Sequence, residues 1–222
     1  MRLVLINPNT NAVTTTLMVG IARESAPPDV RIDGLTVRQG VPLITNPEML
    51  RRAAWSVTET LADADLKGAS GVIVAAFGDP GLQQVRASCP CPVTGIAEAG
   101  MAEAAEGGRR FAVVTTTPEL SGSIATTAAG YGHAPFFAGV VLTEGEPARL
   151  MADPDRLTEA LHGACRRAID EHGAEAIVIG GGPLARAART LAALLSCPVI
   201  EPVPAAVRLA IRRAGEARSA VA

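Results

Sequence analysis

Aromatic residues are scarce in this chain of 222 residues, which contains one Trp, one Tyr and four Phe. Basic residues are not in excess either, since the formal net charge is -2. A chain with neither feature lacks the usual means of binding nucleic acid. Its apolar runs are too short for a membrane span, and the run after Met1 is too short for a signal peptide. We therefore expect a cytoplasmic protein whose partner is a small molecule, with no nucleic-acid or membrane partner.

Cysteine is also rare, and the four present do not form a known motif. Cys89-Pro90-Cys91 matches neither the CxxC redox motif nor a zinc-binding pair, so we expect reduced thiols and no metal site. Cys165 lies on the apolar face of a predicted helix, which indicates a core position. Cys91 and Cys197 precede predicted strands and so lie at the sheet edge away from the expected ligand. None of them is expected to be a catalytic nucleophile.

The chain does contain an internal duplication. The runs 71–78 and 175–182 are each apolar, end in a glycine-rich turn and lead into a helical stretch. Cys-Pro-Val follows each stretch, at 91–93 and 197–199, and an alanine-rich helix comes next. A duplicated strand–turn–helix unit predicts two facing half-domains with a ligand cleft between them.

Strands and helices alternate along the predicted chain. Strands are expected at 3–7, 30–37, 71–76, 92–95, 111–115, 138–142, 176–180 and 198–200, with helices near 12–23, 48–65, 81–87, 97–107, 119–130, 155–171 and 183–195 and from about 202. This alternation predicts an α/β fold of two pseudo-symmetric half-domains, each a parallel sheet flanked by helices. The first would comprise residues 1–98 plus about 203–222, and the second about 99–202.

Ligands of parallel sheets bind beyond the carboxyl ends of the strands, so residues that follow strands are the site candidates. Asn7 and Asn9 follow the first strand, and their amides could bind carbonyl, carboxylate or ureide groups. The alternative is an Asn-Pro turn that caps the next helix. Thr115 and Thr116 are polar at the equivalent place in the second half, which favours binding.

Two glycine-rich turns are further candidates. Phe77 and Gly78 begin a turn that could present backbone N–H groups to a ligand oxygen, and Gly182 and Pro183 belong to its counterpart. The second turn does not match GxGxxG, so no dinucleotide cofactor is expected.

Three carboxylates are weaker candidates for acid–base chemistry. Asp79 is better interpreted as an N-cap before Pro80 than as a base. Glu98 and Glu201 begin the final helix of each half, where a base and a structural cap are equally good interpretations.

Several of these segments resemble the aspartate/glutamate racemase superfamily, and most closely its hydantoin and allantoin racemase branch. The matching segments are INPNTN at 6–11, FGDPGL at 77–82, PVTGIAEA at 92–99, VVTT at 113–116 and PVI at 198–200. They occur in the family's order along most of the chain. The resemblance implies two pseudo-symmetric half-domains, no cofactor, a small substrate between the halves, and a homo-oligomer.

The resemblance also implies two catalytic cysteines, which exchange protons on opposite faces of the substrate carbon. The positions that match them are Ala76 and Gly181 here, and neither residue can carry a proton. We therefore expect a cofactor-independent enzyme that acts on a small carboxylate, imide or ureide without the cysteine pair. The alternatives are a binding protein that retained the cleft without catalysis, or a lyase or hydrolase that uses a carboxylate. Ala76 could also be an engineered replacement.

Overall fold

Short strands of almost exclusively apolar residues form the centre of each half of the chain. β3 (Gly71–Val74) and β7 (Ala176–Ile179) are buried along their whole length. Strands buried on both faces are typical of parallel sheets covered by helices on two sides. The structure is a computed structural model that describes residues 1–181 and 184–219, with the backbone alone at 185 and 186.

The chain divides into two compact units. The first comprises Met1–Ala99 together with the C-terminal segment from Val203, and the second is Gly100–Pro202. Each unit contains a four-stranded sheet in which every pairing is parallel. The α/β fold with two parallel sheets is therefore confirmed.

The first unit alternates strands and helices from its first residues. Its remaining elements are β1 (Arg2–Asn7), α1 (Ala12–Ser25), β2 (Arg31–Thr36), α2 (Pro47–Ala62), α3 (Leu82–Ser88), β4 (Val93–Gly95) and α4 (Ile96–Ala104), which crosses the unit boundary. The C-terminal helix α9 (Pro202–Ser219) lies in this unit apart from Pro202.

The second unit repeats this order. Its remaining elements are β5 (Phe111–Thr115), α5 (Ser121–Gly130), β6 (Phe137–Leu142), α6 (Pro147–Ala152), α7 (Pro154–Asp170), α8 (Ala185–Ala192) and β8 (Val199–Ile200). The short α6 is absent from the predicted elements, because its six residues are too few to show a helical period. The helix predicted over 183–195 is the shorter α8.

Both sheets have the same strand order. The first runs β2-β1-β3-β4 and the second runs β6-β5-β7-β8. In the first sheet, β2 pairs with one side of β1 and β3 pairs with the other side. In the second sheet, β6 and β7 flank β5 in the same way. This creates a topological switch point between β1 and β3, and another between β5 and β7. Open parallel sheets bind ligands at the carboxyl ends of strands at such points.

Polar caps define where several helices begin. The side chain of Asn11 accepts hydrogen bonds from the N–H groups of Val13 and Thr14 at the start of α1. Asn46 and Asp153 act in the same way for α2 and α7, each followed by proline at the first helical position. Proline suits that position because its missing N–H has no partner within the helix.

The apolar faces of the helices pack on the sheets. In the second unit, Leu161 and Cys165 of α7 lie in one buried cluster with Ile177 and Ile179 of β7. Cys165 is fully buried, which confirms its predicted core position. Burial raises the pKa of its thiol to about 12, so it stays protonated and unreactive. Among the described residues, no helix is long and apolar enough to cross a membrane.

Candidate functional site

Asn7 is the last residue of β1 and therefore lies at the switch point of the first sheet. Its side chain is fully buried. Its Nδ2 donates to Oδ1 of Asn9 at 3.0 Å, to the carbonyl of Asn11 at 3.1 Å and to Oγ1 of Thr15 at 3.0 Å. Its Oδ1 accepts from the backbone N–H of Asn9 at 3.1 Å. With every polar atom engaged, Asn7 shapes the loop between β1 and α1.

The same network orients the side chain of Asn9 but engages only its Oδ1. Its Oδ1 accepts from Nδ2 of Asn7 and from the backbone N–H of Asn11, both at 3.0 Å. These two donors fix the amide so that its Nδ2 is the outward atom. That atom has no hydrogen-bond partner among the described residues, although Asn9 is only 7% exposed. A preoriented N–H donor of this kind suits a ligand oxygen.

At the switch point of the second sheet, the hydroxyl of Thr115 is engaged in hydrogen bonds, as the amide of Asn7 is in the first sheet, and the hydroxyl of Thr116 is not engaged by the described residues. Oγ1 of Thr115 donates to the carbonyl of Gly180 at 2.8 Å and pairs with Oγ1 of Thr117 at 3.1 Å. The hydroxyl of the adjacent Thr116 has no partner within the described ranges, and Thr116 is 7% exposed. Thr115 therefore joins β5 to the loop after β7, and the Thr116 hydroxyl remains able to bind.

The backbone confirms that Asn7 and Thr115 are equivalent. The carbonyl of Asn7 accepts from the N–H of Val37, which follows β2, at 3.2 Å, and that of Thr115 accepts from the N–H of Thr143, which follows β6, at 3.1 Å. On the other side of each switch point, Ala75 donates to Ile6 at 2.9 Å and Gly180 donates to Val114 at 2.8 Å. Each sheet thus brings one polar loop beside one glycine-rich turn.

Ala76 and Gly181 lie in these two turns, directly beyond β3 and β7. Both are partly exposed. A β-carbon on Gly181 would lie 3.0 Å from a methyl carbon of Leu184, so a side chain there would require a small shift of that leucine. Neither residue has an ionisable group. Gly182 and Pro183, also predicted for this turn, lie outside the described residues.

The turn after β3 adopts a backbone shape that glycine favours. Gly78 has φ of +107° and Gly81 has φ of +77°, and Asp79 between them has φ of +49°. Asp is among the few residues that tolerate this left-handed region. Phe77 is buried, at 8% exposure, and Asp79 is buried as well, while Gly78 is partly exposed.

The carboxylate of Asp79 caps a helix, but not the one predicted. It accepts from the backbone N–H groups of Ala97 at 2.9 Å and Glu98 at 2.7 Å, at the start of α4. The expected cap before Pro80 is wrong, since α3 is preceded by Gly81 and has no side-chain cap. Sequence proximity suggested α3, whereas the parallel sheet brings the turn after β3 beside the end of β4.

Glu98 is held by two arginines from different helices. Arg86 of α3 reaches its carboxylate at 2.6 and 2.8 Å, and Arg213 of α9 reaches both of its oxygens at 2.8 Å. Burial alone raises the pKa of Glu98, but the hydrogen bonds and charges of Arg213 and Arg86 outweigh it and lower that pKa to about 2. A carboxylate so stabilised as an anion is a poor base near neutral pH. The geometry favours a structural role.

Glu201 precedes α9 and pairs with Arg189 of α8 at 3.4 Å. Its side chain is 20% exposed. All three predicted carboxylates therefore have hydrogen-bonding or charged partners.

Sequence reasoning missed the residues that hold these candidates in place. Arg86 and Arg213 carry no motif, and Arg213 is 115 residues from Glu98. Thr143 was also missed: its Oγ1 is buried with no hydrogen-bond partner in the described part of the chain. Its place directly after β6 was the signal that could have identified it. Within the same ranges, no group of three or more metal-ligating side chains occurs.

Comparison with known proteins identifies the family. The model for Asp/Glu/Hydantoin racemase matches residues 3–210. The hydantoin racemase of Pseudomonas sp. (strain NS671) is 30% identical over 210 residues, which cover 95% of this chain and 84% of that protein.

Two solved structures share the fold closely. The allantoin racemase from Klebsiella pneumoniae is 34% identical, has a TM-score of 0.90, and aligns over 98% of this chain and 89% of its own. The allantoin racemase from Pseudomonas fluorescens is 29% identical, also with a TM-score of 0.90, over 96% of this chain and 90% of its own. This chain belongs to the Asp/Glu/Hydantoin racemase family.

Proposed function

We propose that the protein is a cofactor-independent enzyme that exchanges the proton on the ring carbon of a small hydantoin-type ureide. The similar proteins are named as hydantoin and allantoin racemases, and the substrates in both names contain a hydantoin ring. The proton on the carbon beside the ring carbonyl is acidic, because its removal gives an enolate stabilised by that carbonyl. Racemisation needs this proton to leave from one face and return to the other.

The observation that carries the proposal is a matched pair of polar groups without hydrogen-bond partners in the described part of the chain, Nδ2 of Asn9 and the hydroxyl of Thr116. Each lies just beyond the first strand of its sheet, beside the switch point. We propose that each of these groups donates a hydrogen bond to a carbonyl oxygen of the hydantoin ring. Donors held in place before the reaction stabilise the negative charge that develops on a carbonyl oxygen in an enolate.

Proton transfer must then occur without thiols, because Ala76 and Gly181 stand where the family pattern has cysteines. We propose that water takes this role. Asp79, Glu98 and Glu201 are weaker candidates, since each already has N–H or arginine partners. Exchange through water predicts a slower enzyme than a thiol pair would give, since positioned acid–base groups typically contribute about 10²–10⁴-fold in rate.

Proton exchange in D2O tests the proposal directly. Enantiopure 5-substituted hydantoins and allantoin are incubated with the protein, and loss of the ring-carbon proton is followed by NMR beside loss of optical rotation. The expected result is exchange above the protein-free background that saturates with substrate. Saturable binding without exchange would instead identify a binding protein that kept the site and not the chemistry. Absence of both binding and exchange would contradict the assigned substrate class.

A further inference from the structure

Cys89 and Cys91 form a dithiol in the loop between α3 and β4. Their Sγ atoms lie 3.6 Å apart. Residues two apart in an extended segment point to the same side, and Cys89 is extended with φ of −79° and ψ of 134°. A disulfide requires the sulfur atoms at about 2.05 Å, so closing this pair needs an approach of roughly 1.5 Å. Both thiols are free and partly exposed.

A cavity adjoins this dithiol. Its volume is about 550 Å³, and Cys89 lies in its wall with Leu61, Leu66, Val85 and Ser88. The residues around it directly precede β3 and β4, so it belongs to the edge of the sheet opposite to Asn9 and Ala76. It is therefore separate from the racemase-type site. Its wall has somewhat more apolar than polar surface, with exposed Lys67 at the margin, which suits a small neutral molecule that carries polar groups.

The two thiols differ in acidity. The hydrogen bond between them lowers the pKa of Cys89 to about 6, against burial, which raises it. The same interaction, together with burial, raises the pKa of Cys91. Cys89 is thus the thiolate of the pair, and of the two cysteines it is also the one that lines the cavity. A thiolate with access to solvent is the reactive form of cysteine.

From this geometry we infer that Cys89 and Cys91 are a thiol–disulfide exchange site for small neutral disulfides that enter the cavity. The Cys89 thiolate attacks one sulfur of the disulfide R–S–S–R, whose S–S bond breaks as R–S⁻ leaves with the electron pair. Cys91 then gives its proton to R–S⁻ and attacks Sγ of Cys89, releasing a second R–S⁻, which takes a proton from water. The protein dithiol is oxidised to a disulfide, and the small disulfide is reduced to two thiols.

Treatment of the folded protein with 2-hydroxyethyl disulfide, followed by acid quenching, tryptic digestion and mass spectrometry, tests this inference. Peptide 87–109 contains both cysteines, while Cys197 lies in peptide 190–208. Cys197 is the internal control, because it precedes β8 as Cys91 precedes β4 and burial raises the pKa of its thiol. Formation of the Cys89–Cys91 disulfide lowers the mass of peptide 87–109 by two hydrogens. At pH 7 we expect its rate to be at least about threefold higher than the rate at which Cys197 forms a mixed disulfide. Equal rates, or a stable mixed disulfide without ring closure, would overturn the inference.

Single variants separate the two roles. Cys91→Ser retains a hydrogen-bond donor beside Cys89 but removes the second sulfur, so the mixed disulfide should accumulate on Cys89. Cys89→Ser leaves only the less acidic thiol, which should react no faster than Cys197. The opposite pattern, with modification of Cys91 in Cys89→Ser, would refute the assigned order of attack.

A further pair of variants tests the cavity. Ser88 is exposed and lines the cavity, so Ser88→Trp should obstruct it and slow the reaction of Cys89 about tenfold. Ala87 is exposed on the same helix and is not among the lining residues, so Ala87→Trp is the matched control. Equal rates in both variants would show that the cavity takes no part.

Discussion

The carboxylate of Asp79 occupies the space that a β-carbon on Gly95 would need. Gly95 ends β4, and the Asp79 carboxylate lies over it to reach the N–H groups of α4. The residue after β3 and the residue that ends β4 are therefore matched: the cap of α4 requires glycine at the strand end. This pairing fixes the turn in which Ala76 lies.

Gly95→Ala should consequently destabilise the protein by more than about 2 kcal/mol, because the added methyl group displaces a buried, hydrogen-bonded carboxylate. In an Asp79→Gly background the same substitution should cost less than about 1 kcal/mol, since the obstacle has been removed. Urea unfolding of the four proteins in this cycle measures the coupling. Additive losses would show that the two residues do not compete for the same space.

The ion pairs of Glu98 predict a loss of stability in acid. Its pKa is about 2 in the folded protein, compared with an ordinary value of 4.5. A lowered folded-state pKa stabilises the protein above pH 4.5, and this contribution disappears as the pH falls from there towards 2. Glu98→Gln should therefore lower the free energy of unfolding by about 2–3 kcal/mol at pH 7, and by much less near pH 2.

The matched control is Glu48→Gln. Glu48 also pairs with an arginine, Arg51, but both side chains are mostly exposed to solvent. Its substitution should change the unfolding free energy by less than about 0.5 kcal/mol. A difference between wild type and Glu98→Gln that is the same at pH 3 and pH 7 would show that the charge of Glu98 does not account for its effect.

The sequence predicts well which residues lie at the carboxyl ends of the strands, and it predicts poorly which side chains they contact. Asn9 and Thr116 could be found because each follows an apolar run that is recognisable on its own, and strand order then determines the edge at which they lie. The role of Asp79 could not be found, because its partners Ala97 and Glu98 come next to it only through the pairing of β3 with β4.

For the same reason, the sequence alone could not assign different roles to Asn7 and Asn9. Asn7 and Asn9 are chemically identical and two positions apart. Only the folded loop distinguishes the fully engaged amide of Asn7 from that of Asn9, whose Nδ2 has no partner among the described residues. Position relative to a strand therefore predicts the candidates, and their hydrogen bonds show which amide is fully engaged in the loop.

The adjacent threonines offer a direct separation of stability from binding. Thr115→Val removes the bond to the carbonyl of Gly180 and should cost about 1–3 kcal/mol of stability. Thr116→Val replaces a hydroxyl that has no partner in the described structure, so stability should change by less than about 0.5 kcal/mol. The affinity of the Thr116→Val variant for a hydantoin should be roughly two- to tenfold lower than that of the wild type. Thermal unfolding and calorimetric titration measure the two effects, and equal affinity in Thr116→Val and wild type would exclude Thr116 from the site.

Asn9→Asp tests the other half of the proposed site. The substitution keeps an oxygen to accept from Asn7 and Asn11, so the loop network is retained. It replaces the outward N–H donor by a negatively charged oxygen, which repels a carbonyl oxygen. We expect at least about tenfold weaker binding of a hydantoin, with folding preserved, measured by titration and circular dichroism. Unchanged affinity in a folded Asn9→Asp protein would show that the Asn9 amide does not contact the ligand.

Introducing thiols at positions 76 and 181 tests whether these are the positions at which the proton is transferred. Ala76→Cys with Gly181→Cys supplies a proton carrier to each turn, and we expect racemisation of a hydantoin to rise by about 10²-fold or more. A β-carbon at 181 presses on the side chain of Leu184, so Gly181→Ala measures the cost of that contact alone. The double serine variant fills the same space without an acidic thiol and should show no gain. If the folded double cysteine variant racemises no faster than the serine pair, positions 76 and 181 are not the proton-transfer positions of this protein.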